Sequence, residues 1–146
     1  MSDLADLLLT GLLNYGTTLL GITLFLAALG IPLPASMLLM AAGAFAQQGM
    51  LQIETAAFVA LACAIAGDGS SYLIGRFAAH RLPAHLRETE LWTRATRVFE
   101  RWGVAGVIIT RFLLTPLALP VNLLAGSTKY PAGRFAIAVV VGEIVW

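Results

Sequence analysis

The chain is 146 residues long, 59% of its residues are hydrophobic, and only 12% are Asp, Glu, Lys or Arg. With a mean hydropathy of +0.85, this composition excludes an ordinary soluble domain and predicts an integral membrane protein with several membrane segments. The formal net charge of +1 indicates no partner by itself, and the single cysteine, Cys63, excludes an intramolecular disulfide and a cysteine-rich metal site.

The first apolar block runs from Leu7 to Ile31, and no Asp, Glu, Lys or Arg stands between Asp6 and Glu54. A secretory signal is the alternative, but the first residues are acidic where a signal is basic, and the apolar stretch outruns a signal's hydrophobic region. The block ends at Pro32-Leu33-Pro34, because proline removes a backbone donor and restricts the residue before it.

The second apolar block is too short to cross a membrane. It extends from Ala35 to about Gln47, which is about 20 Å as a helix against a hydrocarbon core of about 30 Å. We therefore expect a first re-entrant unit at about residues 20–47. The next block, Thr55 to Leu73, is long enough for a span, and a spanning helix is predicted at about residues 55–75.

Asp68 lies inside that spanning helix, in the unusually polar run 67–71. An acid within a membrane helix is costly and usually functional, so Asp68 is a candidate for proton coupling. It fits equally well as an ion-pair partner for Arg76 or for Arg111, and the sequence leaves these roles open.

A basic segment follows at residues 76–103 and holds six of the nine Lys and Arg residues. The positive-inside rule places it on the cytoplasmic side. Its later part is predicted to form an amphipathic helix on the anionic leaflet. Nucleic acid is not an expected partner because acidic residues interleave with the basic ones. His80 and His85 have no metal-ligand spacing and are expected to be solvated.

A second broken segment follows, predicted as a re-entrant unit at about residues 104–126. It is apolar around Arg111 and is interrupted by Pro116 and Pro120. Residues 32–43 and 116–126 both begin with Pro-Leu, hold a second proline and end in Ala-Gly, which indicates an internal repeat. Paired broken segments point to a transporter site where they meet; the alternative is two ordinary kinked helices packed through small residues.

Arg111 is the strongest candidate for substrate binding. An arginine in an apolar run is costly, and its forked guanidinium suits a phosphate group; the alternative is a residue at the membrane edge that reaches lipid phosphates. We expect Asn122, Pro116, Pro34 and Ser36 to line the same lipid-phosphate site.

The last apolar run is predicted as an incomplete helix at residues 132–146. It ends at Trp146 without a polar tail, so we expect the chain to be a fragment or a truncated product. Glu143 is an acid within this run and is the second candidate for proton coupling.

The ordered set of segments resembles the DedA family of bacterial inner-membrane proteins, whose domain is also called SNARE-associated or VTT. The matching segments are FLAALGIPLPASMLLMAAG, GDGSSYLIGR, FERWG, TRFLLTPLALPVNLLAG and FAIAVVVGEIVW. The resemblance implies an all-α helical bundle with two facing, proline-broken re-entrant hairpins related as an inverted repeat in a single domain. It also implies transport of phosphorylated lipids, such as undecaprenyl phosphate or phospholipids, in support of the envelope.

The chain departs from the family pattern at several functional positions. Arg111 matches the first family arginine, but the second is Leu117 here. A family acid in the first hydrophobic segment is Ala27 or Ala28, and another is replaced around Ala35 and Ser36. Proton coupling, if retained, would therefore depend on Asp68 or Glu143.

Two functions from different classes remain open on the sequence. The leading one is a transporter, flippase or scramblase for lipids with phosphate head groups. The alternative is a membrane scaffold or assembly factor that keeps the fold without transport. No catalytic set of residues or cofactor motif is found, so an enzyme is not expected, and homo-oligomerisation is possible.

Overall fold

The computed structural model describes residues 2–78, 88–113 and 115–145, excluding the side chains of residues 2–5 and 112. Every regular element among these residues is helical, which confirms the expected all-helical class. The helices are α1 Ser2–Ala28, α2 Ala35–Gln47, α3 Ile53–Ala78, α4 Glu90–Trp102, α5 Val104–Phe112, a 3-10 turn Thr115–Leu117, α6 Ala118–Ser127 and α7 Ala132–Val145. The expectation for His80 and His85 lies outside the described residues.

Two described helices are long and apolar enough to cross a membrane, Asp6–Ala28 within α1 and Ile53–Ala78. The first is bent at Gly16, which has φ 56° and ψ −136°. Glycine adopts this conformation readily, whereas it is strained for other residues. A Cβ built on Gly11 would stand 2.7 Å from Leu19 Cδ2, so the two parts of α1 turn toward each other. The sequence did not predict this bend, because an isolated glycine is tolerated in a helix.

The chain packs as two compact units, residues 1–67 and residues 68–146, and α3 contributes to both. In the first unit, leucines of α1 and α2 pack with alanines of α2 and α3 to form the core. Its buried members are Leu8, Leu12, Leu20, Leu24, Leu38, Ala42, Ala56 and Ala60. Cys63, expected to be buried, is half-buried, and a Cβ on Gly21 would lie 2.9 Å from its Sγ.

Each unit contains a helical hairpin that starts at a left-handed glycine. Gly103, between α4 and α5, has φ 52° and ψ −120°, close to the values at Gly16. In the first unit a Cβ on Gly16 would lie 3.5 Å from Leu51, just beyond the end of α2. In the second unit Phe99, in the last turn of α4, packs edge-on against Tyr130 beyond α6, with ring centroids 5.5 Å apart. Each hairpin therefore returns close to where it began.

The two hairpins also end in the same turn. Beyond α2, the Met50 amide donates to the Phe45 carbonyl at 2.9 Å, and beyond α6 the Tyr130 amide donates to the Ala125 carbonyl at 2.9 Å. The residue before each is left-handed: Gly49 has φ 75°, whereas in the second turn it is Lys129, with φ 55°. A side chain in this conformation costs about 1–2 kcal/mol, and Lys129 is the only non-glycine with positive φ among the described residues.

Helix α6 is the centre of the second unit, and its residues from Val121 to Gly126 are all buried. It crosses α3 through glycines on both sides. A Cβ on Gly75 would overlap the Leu123 carbonyl, and one on Gly126 would overlap the Tyr72 carbonyl. The absence of two side chains therefore lets the two backbones touch.

Helix α4 is amphipathic, in agreement with its charge pattern. Thr89 caps it by accepting a hydrogen bond from the Trp92 amide at 3.2 Å. The arginines on this helix are exposed, and Arg94 pairs with Glu90 at 2.6 Å, whereas Ala95 is buried. Its position on a membrane leaflet stays a prediction.

Candidate functional site

Four polar side chains from four helices meet inside the second unit, and Asp68, Arg111 and Asn122 are buried. Asp68 comes from α3, Arg111 from α5, Asn122 from α6 and Glu143 from α7. The Asp68 and Arg111 side chains are 1% and 4% exposed, and Glu143 is 9% exposed. We call these four residues the arginine cluster.

Arg111 uses three of its nitrogens toward protein groups. Its Nη1 donates to Asp68 Oδ1 at 2.6 Å, and its Nη2 donates to Asn122 Oδ1 at 2.6 Å. Its Nε lies 3.6 Å from Glu143 Oε1, an ion-pair distance that is too long for a hydrogen bond. The guanidinium is therefore held inside the protein, and Glu143 is its most loosely held partner.

Asn122 forms hydrogen bonds with both Asp68 and Arg111. Its Nδ2 donates to Asp68 Oδ1 at 2.8 Å while its carbonyl oxygen accepts from Arg111, which fixes the orientation of the amide. Two donors thus converge on one oxygen of Asp68. Among the described residues, the other oxygen, Oδ2, and Arg111 Nε are buried without a hydrogen-bond partner.

The two acids of the cluster lie beside the same guanidinium. Asp68 Oδ1 is 2.6 Å from Arg111 Nη1, and Glu143 Oε1 is 3.6 Å from Arg111 Nε. With both acids ionised, the cluster carries two negative charges and one positive charge. One proton makes it neutral, so the cluster can hold or release a proton next to Arg111.

The local chain explains how Arg111 reaches this position. A Cβ on Gly142 would stand 2.5 Å from Arg111 Cγ and 3.5 Å from Ile108 Cα, so only glycine leaves room for the arginine stem. On the other side, Thr115 Oγ1 donates to the Arg111 carbonyl at 3.1 Å. This bond satisfies a carbonyl in the last turn of α5, where the helix gives way to the turn that holds Pro116.

The structure brings together four of the seven residues proposed from the sequence. Pro116 is exposed in the 3-10 turn after α5. Pro34 caps α2 and Ser36 is exposed in its first turn, so both belong to the first unit. The roles of these three residues at a lipid-phosphate site stay predictions.

Asp68 pairs with Arg111, whereas Arg76 interacts elsewhere. Arg76 Nη1 donates to the Tyr72 hydroxyl at 2.8 Å, and that hydroxyl donates to the Tyr130 carbonyl. The Tyr72 ring stacks on Phe135 with centroids 4.5 Å apart. Sequence reasoning missed the two tyrosines, and their only signal was a position near the predicted helix ends, where tyrosine is common in membrane proteins.

No group of three or more His, Cys, Asp or Glu side chains in the described part of the chain is arranged to hold a metal ion. The chemistry that the arginine cluster offers is that of ion pairs between one guanidinium and two carboxyl groups. A guanidinium is held by two carboxylates, and a competing anion could replace one of them.

Comparison with known proteins gives the family. The VTT domain model matches residues 33–146. An uncharacterized membrane protein of Mycobacterium tuberculosis is 32% identical over 141 residues, covering 86% of this chain and 62% of the relative. One of Synechocystis is 30% identical over 140 residues, covering 91% and 62%. The chain thus spans about three fifths of the length of these relatives.

No solved structure matches the chain. The family model nevertheless covers all four residues of the arginine cluster, Pro34 and the second proline break, and the relatives are membrane proteins. With the apolar helices described above, these findings indicate a membrane location. The chain therefore belongs to the VTT-domain, or DedA, family of membrane proteins.

Proposed function

We propose that the chain moves lipids with phosphate head groups across the bacterial inner membrane, as a transporter, flippase or scramblase that supports envelope homeostasis. The substrates are undecaprenyl phosphate or phospholipids. The observation that carries this proposal is the buried guanidinium of Arg111, which is held by two carboxylates next to the second proline break. No catalytic role is proposed for any of these residues.

Arg111 would bind the phosphate by exchanging one anion for another. Its Nη1 and Nη2 are engaged at 2.6 Å, whereas Nε has no hydrogen bond and faces Glu143 at 3.6 Å. A proton taken up by Glu143 would remove the charge that faces Nε. Arg111 Nε could then donate a hydrogen bond to a phosphate oxygen while Asp68 and Asn122 keep the guanidinium in place.

Protons would in this way be coupled to lipid binding. Glu143 is the exchanging acid, and Asp68 is the acid that keeps its hydrogen bond with Arg111. Release of the proton would restore the Arg111–Glu143 pair and expel the lipid phosphate. In this cycle Glu143 gains and loses the proton, whereas Asp68 stays paired with Arg111.

The broken helices would act as two re-entrant hairpins related as an inverted repeat. Helices α5 and α6 have 9 and 10 residues, or about 14–15 Å of helix, half of a hydrocarbon core of about 30 Å. The contacts of Gly16 with Leu51 and of Phe99 with Tyr130 support hairpins that enter and leave on one side. Because one spanning helix, α3, joins the hairpins, they would enter from opposite sides, and the basic segment 76–103 would be cytoplasmic.

The test is lipid exchange between leaflets in proteoliposomes that contain fluorescently labelled phosphatidylglycerol or undecaprenyl phosphate. The wild-type protein is expected to accelerate exchange, and Arg111→Gln to slow it at least tenfold. Arg111→Lys should be intermediate because it keeps the charge without the fork. Arg94→Gln, at an exposed site on α4, is the control and should match the wild type. Exchange by Arg111→Gln at the wild-type rate would refute the proposal.

A membrane scaffold is the second candidate, and one observation favours it. The described partners of Arg111 are protein groups on three other helices, an arrangement that would also serve to hold a bundle together. A scaffold predicts no acceleration of lipid exchange by the wild-type protein. It also predicts that Arg111→Gln acts only by lowering thermal stability.

A further inference from the structure

Three exposed basic residues outside the arginine cluster lie around one pair of tyrosines. They are Arg76 in the last turn of α3, Lys129 in the turn between α6 and α7, and Arg134 in the first turn of α7. We call them the basic rim. Neither the proposed transport site nor its proton coupling uses them.

Contacts within the second unit bring the three residues to one place. Arg76 donates to the Tyr72 hydroxyl at 2.8 Å, and that hydroxyl donates to the carbonyl of Tyr130, the residue after Lys129. The ring of Tyr72 stacks on Phe135, the residue after Arg134. Tyr72 is thus the common neighbour of all three positions, and it is buried while the basic side chains are exposed.

The basic rim lies at the ends of apolar helices. Arg76 lies two residues before the end of the candidate span Ile53–Ala78. Lys129 lies in the turn before the apolar helix α7, and Arg134 lies in its first turn. Tyrosines are enriched at the head-group level of a membrane, and basic side chains reach from it to lipid phosphates. No acid stands between Glu100 and Glu143 in the sequence, so the turn between α6 and α7 contains a basic residue and no acidic one.

The backbone at Lys129 adds an independent observation. The matching turn after α2 has the same hydrogen bond and places Gly49 at the left-handed position. The second turn places a lysine there, in a conformation that disfavours any side chain. A lysine at a strained, exposed position points to a use for its charge that does not concern folding.

We propose that the basic rim binds the phosphate groups of anionic lipids in the leaflet that surrounds the protein. Arg76 supplies a guanidinium oriented by Tyr72, and Lys129 and Arg134 supply two further positive charges beside it. An anionic phospholipid fits because it presents a phosphate at this depth with a net negative charge. The proposal concerns equilibrium binding and does not require that the protein transport lipid.

The experiment is native mass spectrometry of the detergent-solubilised protein titrated with phosphatidylglycerol or with phosphatidylcholine. The wild-type protein should bind phosphatidylglycerol at least fivefold more tightly than phosphatidylcholine. Lys129→Gly should lose most of this preference, while its midpoint of thermal unfolding stays the same or rises. Lys129→Arg, which keeps the charge, should retain the preference, and Arg76→Gln and Arg134→Gln should each lower it.

Two outcomes would overturn the proposal. One is an unchanged preference for phosphatidylglycerol in Lys129→Gly and in both arginine variants. The other is displacement of the lipid by millimolar inorganic phosphate, which would assign the rim to free phosphate. Leaflet exchange is measured separately, so loss of binding at the rim can be distinguished from failure of transport at Arg111.

Discussion

The stem of Arg111 passes across the face of Gly142, and a Cβ on that glycine would stand 2.5 Å from Arg111 Cγ. Gly142 directly precedes Glu143, the loosest partner of the same arginine. One stretch of α7 therefore supplies both the space for the arginine stem and one of the charges near its guanidinium. The position of the guanidinium depends on that space.

Gly142→Ala should lower the free energy of unfolding by about 1–3 kcal/mol, because the atom it meets is in the stem of Arg111 and cannot move without moving the ion pairs. Thermal unfolding in detergent measures the effect. Gly133→Ala is the matched control on the same helix, since a Cβ there meets nothing within 4 Å. Equal stability of the two variants would show that the stem has room to move.

An added methyl group should destabilise the protein more at the crossing of α3 and α6 than at Gly142. In Gly126→Ala the new methyl group would overlap the Tyr72 carbonyl. Because a backbone group cannot move aside as a side chain can, we expect the free energy of unfolding to fall by about 3 kcal/mol or more, or the protein not to fold. Gly69→Ala, on α3 with open space around its Cβ, should be neutral or slightly stabilising. A stable, folded Gly126→Ala protein would contradict the close approach of the two helices.

The matching turns give a paired prediction on stability. Lys129→Gly should raise the free energy of unfolding by about 0.5–1 kcal/mol, because relief of the left-handed strain exceeds the larger entropy of glycine in the unfolded chain. Gly49→Ala should lower it by about 1 kcal/mol, because φ there is 75°. Chemical denaturation of both variants tests the pair, and changes of the same sign would refute the turn assignment.

The proposed hairpins predict which residues face the same side of the membrane. In a Cys63→Ala background, Glu100→Cys and Thr128→Cys should react with a membrane-impermeant maleimide from one side. Gln48→Cys should react from the opposite side if α3 spans the membrane between the two hairpins, as proposed. Labelling of Glu100→Cys and Thr128→Cys from different sides would mean that α5 and α6 do not form a re-entrant hairpin.

The sequence predicted those parts of the fold that local chemistry determines. Helix α1 ends at Ala28 in a turn with Gly30 at φ 92°. Pro32 and Pro34 follow, where proline keeps the helix from resuming at once, and the next helix is the short one expected. The bend at Gly16 could not be predicted, because a lone glycine permits a left-handed residue without requiring it. Its counterpart at Gly103 is visible only in the backbone angles.

The sequence predicted which residues belong to the candidate site, but it did not predict which of them form ion pairs. Positions within predicted membrane segments marked Asp68, Arg111 and Glu143, because isolated charges are costly there. The choice between Arg76 and Arg111 as partner for Asp68 depended on which helices pack together. That depends in turn on Gly75 and Gly126, two glycines without a distinctive local signal.

The coupling of protons to lipid movement through Glu143 is the central claim, and the pH dependence of leaflet exchange in proteoliposomes tests it most directly. Wild-type exchange of labelled phosphatidylglycerol should become faster as the pH falls from mildly alkaline to mildly acidic, because protonated Glu143 frees Arg111 Nε. Glu143→Gln should exchange lipid at a rate that no longer changes with pH, while Glu100→Gln, at an exposed site, should keep the wild-type profile. An unaltered pH profile in Glu143→Gln would contradict the account.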